Sequence, residues 1–127
     1  MEQISRSEEW YFQSDYDLET AEYMLQSKRD IYCIFMCHLS LEKALKGLYC
    51  KRTNEIPPKL HNLLYFVNTL ELVPAEPDLL FIGTINSLSI VTRYPEDLRK
   101  MIVTFSTELV SEILQQTKSV QQWIKQQ

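Results

Sequence analysis

The chain has 127 residues, a formal net charge of −4, 45% apolar residues and only two glycines. This length suits one domain with one hydrophobic core, which we expect to span residues 1–127. Because the two glycines stand alone, the sequence has no Gly-rich phosphate loop or dinucleotide fingerprint, and the lack of Gly-based tight turns argues against an all-β fold.

Amphipathic helices are predicted along the chain, because apolar residues recur at helical spacing in long stretches without proline. In chain order they cover about 7–27, 31–52, 61–71, 77–92 and 96–125. Short connections between about five such helices predict an all-α, up-and-down bundle.

Three local features of these helices carry expectations of their own. Ser7 is predicted to cap the first helix, and Gly83 is predicted to be a point of close packing in the fourth. The fifth helix, if straight, would be about 45 Å long, which exceeds the radius of a small domain.

The start of the chain shows no apolar segment typical of a secretory signal, and no apolar run reaches the about 20 residues of a membrane helix. Cys33, Cys37 and Cys50 fall in one predicted helix, which is typical of reduced thiols in a core. We therefore expect a cytoplasmic protein without membrane contact.

The charges are unevenly distributed along the chain. Residues 1–27 hold seven acids and one base, whereas residues 28–61 hold seven bases and three acids. The basic segment can form a local anion site. A solvated helix face is the more ordinary interpretation of such a run.

Metal and nucleophile sites are not predicted. Asp15 and Asp17 point about 200° apart on a helix, which indicates solvated acids rather than a metal-binding pair. Cys33 and Cys37 lack the second ligand pair of a structural zinc site, and Cys37 diverges from its neighbour His38 by about 100°. We expect no metal and no cofactor.

Two histidines are candidate site residues, each with a structural alternative. His38 lies on the apolar stripe of the second helix, where a buried neutral imidazole is the usual explanation. His61 follows Pro57 and Pro58 and opens the third helix, where it can act as a cap.

Four further residues are candidates for binding an anion. Lys43 and Lys46 share one helix face, which can also be a solvated surface. Arg93 and Tyr94 lie at a corner restricted by Pro95, and such corners often hold binding residues on a rigid frame. Arg93 can equally cap the end of the fourth helix.

These residues resemble the landmarks of HEPN domains. Residues 38–48, His-Leu-Ser-Leu-Glu-Lys-Ala-Leu-Lys-Gly-Leu, are similar to the family's central helix with its histidine followed by Glu-Lys-Ala-Leu-Lys. Three further landmarks appear in the family's order: Asp17-Leu18 with Ala21, Pro58 with His61-Asn62-Leu63, and Arg93-Tyr94-Pro95. The resemblance covers residues from about 10 to about 113.

The resemblance implies a helical bundle, commonly a homodimer, that acts as an RNase, a toxin or the partner of a small nucleotidyltransferase. RNase members carry an arginine followed one or two turns later by a histidine on the same helix. No histidine follows Arg93, so we expect no RNase activity.

The favoured hypothesis is a nucleotide- or RNA-phosphate-binding partner of a nucleotidyltransferase, in which Lys43, Lys46 and Arg93 bind phosphate. His38 and Tyr94 would line the pocket, where Tyr94 can stack on a base.

Two alternatives remain open from the residues alone. The first is a metal-independent RNase toxin of a toxin–antitoxin pair, with His38 or His61 as general acid/base and Arg93 as phosphate clamp. The second is a non-catalytic dimerisation or antitoxin-binding module, with Trp123, Ile124 and the last helix at the interface.

Overall fold

The computed structural model describes residues 5–91 and 93–127, and this part of the chain forms six helices and no strand. The predicted all-α bundle is confirmed. None of these helices combines the length and apolar character needed to cross a membrane. The helices are α1 (Arg6–Gln26), α2 (Asp30–Thr53), α3 (Leu63–Thr69), α4 (Glu76–Val91), α5 (Pro95–Thr104) and α6 (Thr107–Lys125). Residue 92, the predicted end of the fourth helix, lies outside the described residues.

Helix α2 is the centre of the bundle and contacts each of the other five described helices. Its apolar stripe, including Ile34, Leu41 and Leu45, is fully buried. A helix surrounded by partners must be buried on nearly every face. Several polar side chains of α2 are therefore buried in the core together with its leucines. The three cysteines are free thiols, and all are buried.

The cap of the first helix lies two residues earlier than expected, at Ser5 rather than Ser7. Ser5 Oγ accepts a hydrogen bond from the Glu8 amide at 3.1 Å, and a Glu8 carboxylate oxygen accepts one from the Ser5 amide at 3.4 Å. This capping box needs a glutamate three residues after the serine, and only Ser5 has one. Ser7 instead donates its hydroxyl to the Gly47 carbonyl at 2.9 Å.

The predicted long fifth helix is wrong, because the chain breaks between α5 and α6. Phe105 is extended, with φ −100° and ψ 110°, and the Ser106 side chain accepts a hydrogen bond from the Leu109 amide. The break lets α6 pack on α2 and α1 within the same chain. Ile124 is consequently fully buried and Trp123 partly buried, so Ile124 does not offer the exposed interface expected of it.

The glycine at the point of close packing is Gly47 in α2, not Gly83. A Cβ atom at Gly47 would lie 2.6 Å from the Tyr11 ring and 3.2 Å from Trp10 Cβ, where α1 crosses α2. A Cβ atom at Gly83 would meet nothing within 4 Å. The expected role of Gly83 is therefore wrong, and the crossing of α1 over α2 depends on a missing side chain at Gly47.

The two glycines give a matched pair of stability tests. Gly47→Ala is expected to lower the free energy of unfolding by about 1–3 kcal/mol, because the methyl group forces α1 away from α2. Gly83→Ala is expected to raise it by about 0.5–1 kcal/mol, since alanine favours helix and open space surrounds it. Urea denaturation followed by circular dichroism measures both. Equal changes in the free energy of unfolding for the two variants would contradict the assignment of Gly47 as the close-packing glycine.

Candidate functional site

The central polar cluster of the protein lies on one face of α2, where His38, Glu42 and Lys46 follow one another at four-residue spacing. Their exposed fractions are 0%, 4% and 6%. Charged groups are rarely buried to this extent unless they are paired. The partners of Glu42 therefore determine how the cluster is built.

Glu42 holds two cationic or titratable groups at once. Its Oε2 atom lies 3.1 Å from Lys46 Nζ, and its Oε1 atom lies 3.0 Å from His61 Nδ1. Lys46 Nζ also lies 5.6 Å from the centre of the Trp10 ring and 6.0 Å from that of Phe66. The charge of Lys46 is thus balanced by Glu42 and enclosed by aromatic rings, away from solvent.

His61 is attached to α2 through both its backbone and its side chain. Its carbonyl oxygen accepts a hydrogen bond from His38 Nε2 at 3.1 Å, while its ring binds Glu42. The side chain is nevertheless 62% exposed. Asn62, rather than His61, caps α3 by accepting from the Leu64 amide at 3.0 Å. His61 is therefore free to present the rest of its ring at the surface.

His38 is a neutral, buried imidazole with a defined tautomer. A carbonyl can only accept, so His38 Nε2 carries the proton that it shares with the His61 carbonyl. His38 Nδ1 is buried without a hydrogen-bond partner among the described residues and lies 4.0 Å from Glu42 Oε1. Burial lowers the pKa of His38 from 6.5 to about 4, the charge on Glu42 opposes this shift, and nearby Arg93 reinforces it.

Lys43 lies apart from this cluster. Its Nζ atom is 2.7 Å from Asp17 Oδ2, and Asp17 is only 6% exposed. The expectation that Asp17 lies on a solvated face is therefore wrong, since it faces α2 and anchors α1. Asp15 is exposed as expected, and its carboxylate lies 2.6 Å from Lys125 Nζ. The charge of Lys43 is thus neutralised by an ion pair that connects α2 to α1.

Arg93 and Tyr94 form an exposed corner between α4 and α5. The Arg93 guanidinium lies 5.3 Å from the centre of the Phe35 ring, and within residues 5–91 and 93–127 it has no carboxylate partner. Tyr94 is the extended residue before α5, which starts at Pro95, and Tyr94 is 52% exposed. Phe35 lies one helical turn before His38 on α2, and the charge of Arg93 lowers the pKa of His38, so the corner lies near the His38 end of the cluster.

The six candidate residues therefore divide into three groups. His38, Lys46 and His61 meet around Glu42, Arg93 and Tyr94 form the adjacent corner, and Lys43 pairs with Asp17. Glu42 itself was missed as a site residue, although its position four residues from both His38 and Lys46 was a visible signal. No group of three or more potential metal ligands is found in the described part of the chain.

The titration of His38 predicts a pH-dependent stability. Between pH 6.5 and about 4 the unfolded chain binds a proton at His38 that the folded chain excludes, so acid favours unfolding. We expect His38 alone to remove about 3 kcal/mol of unfolding free energy as the pH falls through that interval. Urea denaturation at several pH values measures this slope.

The control is His38→Gln, whose amide can still donate to the His61 carbonyl but does not titrate. Its unfolding free energy should fall less steeply with acid than that of the wild type. An identical slope in the two proteins would contradict the role of His38.

Comparison with known proteins identifies the family. The model of the HEPN domain matches residues 7–127. A solved structure, described as the crystal structure of TT1696 from Thermus thermophilus, is 20% identical with a TM-score of 0.83, over 97% of this chain and 98% of that one. No match is found among curated proteins. The helical architecture agrees with that of the solved structure, and the match over nearly the whole sequence shows that the chain belongs to the HEPN domain family.

Proposed function

We propose that this HEPN domain binds the phosphate of a nucleotide or RNA at the Arg93–Tyr94 corner and does not cleave RNA. The observation that carries the proposal is the state of Arg93. It is an exposed cation, and no carboxylate in the described part of the chain neutralises it. An arginine in this state can offer a phosphate two parallel hydrogen bonds.

The two lysines that were expected to bind phosphate together with Arg93 form ion pairs with other residues. Lys46 is enclosed with Glu42, and Lys43 is paired with Asp17. Releasing either lysine to a ligand would leave a buried carboxylate without its partner, which is strongly unfavourable. This supports a site in which Arg93 is the group that binds the phosphate.

Two side chains extend the site around Arg93. The half-exposed Tyr94 ring is adjacent in sequence and can stack on a base. The exposed His61 ring is oriented by Glu42, and its second nitrogen has no partner among the residues described. Together these groups fit a ligand that carries both a phosphate and an aromatic base.

The proposed lack of RNase activity rests on His38. A general acid/base must reach the proton that it transfers. His38 is fully buried, neutral at pH 7 and bonded to the His61 carbonyl, so it cannot contact a phosphodiester. The sequence also has no histidine after Arg93.

We further place the protein in the cytoplasm, as the partner of a small nucleotidyltransferase. The free, buried thiols fit a reducing compartment. The choice of partner follows from the resemblance to HEPN domains that act beside such enzymes. A nucleotide-binding corner would let the domain engage the partner's substrate or product.

Calorimetric titration of ATP and of a short single-stranded RNA tests the phosphate site. Arg93→Ala is expected to weaken binding by about tenfold or more, because a charge-assisted bidentate contact is lost. Arg6→Ala is the matched control, since Arg6 is also exposed but lies beside Cys50 and Lys51 near the end of α2, whereas Arg93 contacts Phe35 near its start. Its affinity should equal that of the wild type.

Equal binding by the wild type and Arg93→Ala would overturn the proposal. The same RNA samples, run on a denaturing gel, also test the RNase alternative. That alternative is favoured by one observation, the Glu42-oriented ring of His61 with its free nitrogen. Cleavage that disappears in His61→Ala would replace the binding proposal by a catalytic one.

We also propose that the domain forms a homodimer through α4 rather than through α6. Residues 79–92 contain no charged residue, and Leu80 is 65% exposed. Leu80, Thr84 and Leu88 form a ridge with an apolar groove on each side of it. A ridge beside a groove can pack against its own copy about a two-fold axis, each ridge entering the other's groove.

Sedimentation velocity tests this interface. Leu80→Glu is expected to convert a dimer into a monomer at micromolar concentration, because a charge would be buried without a partner. Ile56→Glu is the control, since Ile56 is 70% exposed in the loop before α3 and lines neither groove beside the α4 ridge. A sedimentation coefficient that Leu80→Glu leaves at the wild-type value would contradict the proposed interface.

A further inference from the structure

The outer face of α1 carries a row of exposed aromatic side chains. Phe12, Tyr16 and Tyr23 are 63%, 64% and 56% exposed. At about 100° per residue they lie within about 40° of one another on the helix and extend over about 16 Å. The buried positions Ser14 and Ala21 are on the opposite face of α1. We call Phe12, Tyr16 and Tyr23 the aromatic row.

Single exposed aromatics are common, but a row on one helix face is not needed for folding. Each side chain points away from α2, with which α1 shares its core. Tyrosine and phenylalanine are enriched at protein interfaces because they bury a large area at a small cost in conformational entropy. The aromatic row is therefore an unpartnered helix face.

The charges around the row define the chemistry of its occupant. Glu9 and Glu19 are exposed on the same side of α1, and among the described residues they have no cationic partner. Within the described ranges, Glu9 accepts only from Gln13 at 3.3 Å, and Glu19 accepts only from Tyr23 Oη at 3.4 Å. By contrast, Asp17, which faces the bundle, pairs with Lys43, and the partly exposed Glu22 pairs with Lys118.

We propose that the aromatic row, with Glu9 and Glu19, is a docking surface for an arginine-bearing basic segment of a partner protein. Guanidinium groups stack on aromatic faces and form bidentate hydrogen bonds with carboxylates, and this surface offers both at adjacent positions. A second copy of α1 does not fit, because it would bring like charges together. RNA and anionic lipid are repelled by the same carboxylates.

The length of the row sets the size of the segment. About 16 Å corresponds to about three turns of a partner helix or about five residues of an extended strand. Two arginines on one face of such a segment can each meet a ring and a carboxylate. This surface is separate from the Arg93 corner and does not depend on the phosphate-binding proposal.

Titration of the full chain with a short helical peptide bearing arginines along one face tests the surface, with chemical shifts of the backbone amides as the readout. Shifts are expected along α1 from residue 9 to residue 23. Tyr16→Ala/Tyr23→Ala should weaken the affinity by about tenfold. Glu9→Gln/Glu19→Gln should weaken it several-fold and reduce its salt dependence.

Tyr32→Ala/Tyr65→Ala is the matched control, because these tyrosines are 51% and 40% exposed on other helices. It should bind the peptide as the wild type does, and a peptide with lysine in place of arginine should bind more weakly. Shifts that map outside α1, equal affinity for the two peptides, or equal loss in the control would each overturn the proposal. Circular dichroism confirms that the exposed-site variants remain folded.

Discussion

The ion pair of Glu42 with Lys46 is the constraint on which the rest of the polar structure depends. Burying a carboxylate or an ammonium group costs several kcal/mol, and this cost is offset only when the two meet with good geometry. Because Glu42 is buried on the central helix, the surrounding structure must place its partners beside it. Lys46 comes from the next turn of α2, and His61 comes from the loop that precedes α3.

This arrangement organises the loop before α3. The His61 ring is held by Glu42, and the His61 carbonyl is held by His38. Asn62 then caps α3, and the Leu63 amide donates to Asn86 Oδ1 at 2.8 Å, which connects the same loop to α4. One buried carboxylate thereby positions α3 and α4 relative to α2. Glu42 also pairs with Lys46, which the sequence suggested as a ligand-binding residue because it lies in a basic segment.

The sequence was informative wherever local periodicity decides the structure. The helical class, the buried stripe of α2 and the burial of His38 follow from spacing alone. The break at Phe105 and Ser106 was not apparent, because the apolar spacing continues through it and the cap is a single serine. The pairing of Lys43 with Asp17 joins residues on two helices, and helical periodicity carries no information about which side chains meet across them. The sequence identified most of the candidate residues, but only the fold shows which of their charges are paired and which are exposed.

A protein of net charge −4 can still bind an anion, because charges act locally in salt solution. The Debye length is about 8 Å at physiological ionic strength, so the acids on the outer face of α1 are screened from groups farther away than that. Near Arg93, by contrast, no carboxylate in the described chain forms an ion pair with the guanidinium. A site with one such arginine releases few counterions, so its affinity for RNA should depend only weakly on salt. Strong salt dependence would instead indicate a broad basic surface, which the pairing of Lys43 and Lys46 with buried carboxylates disfavours.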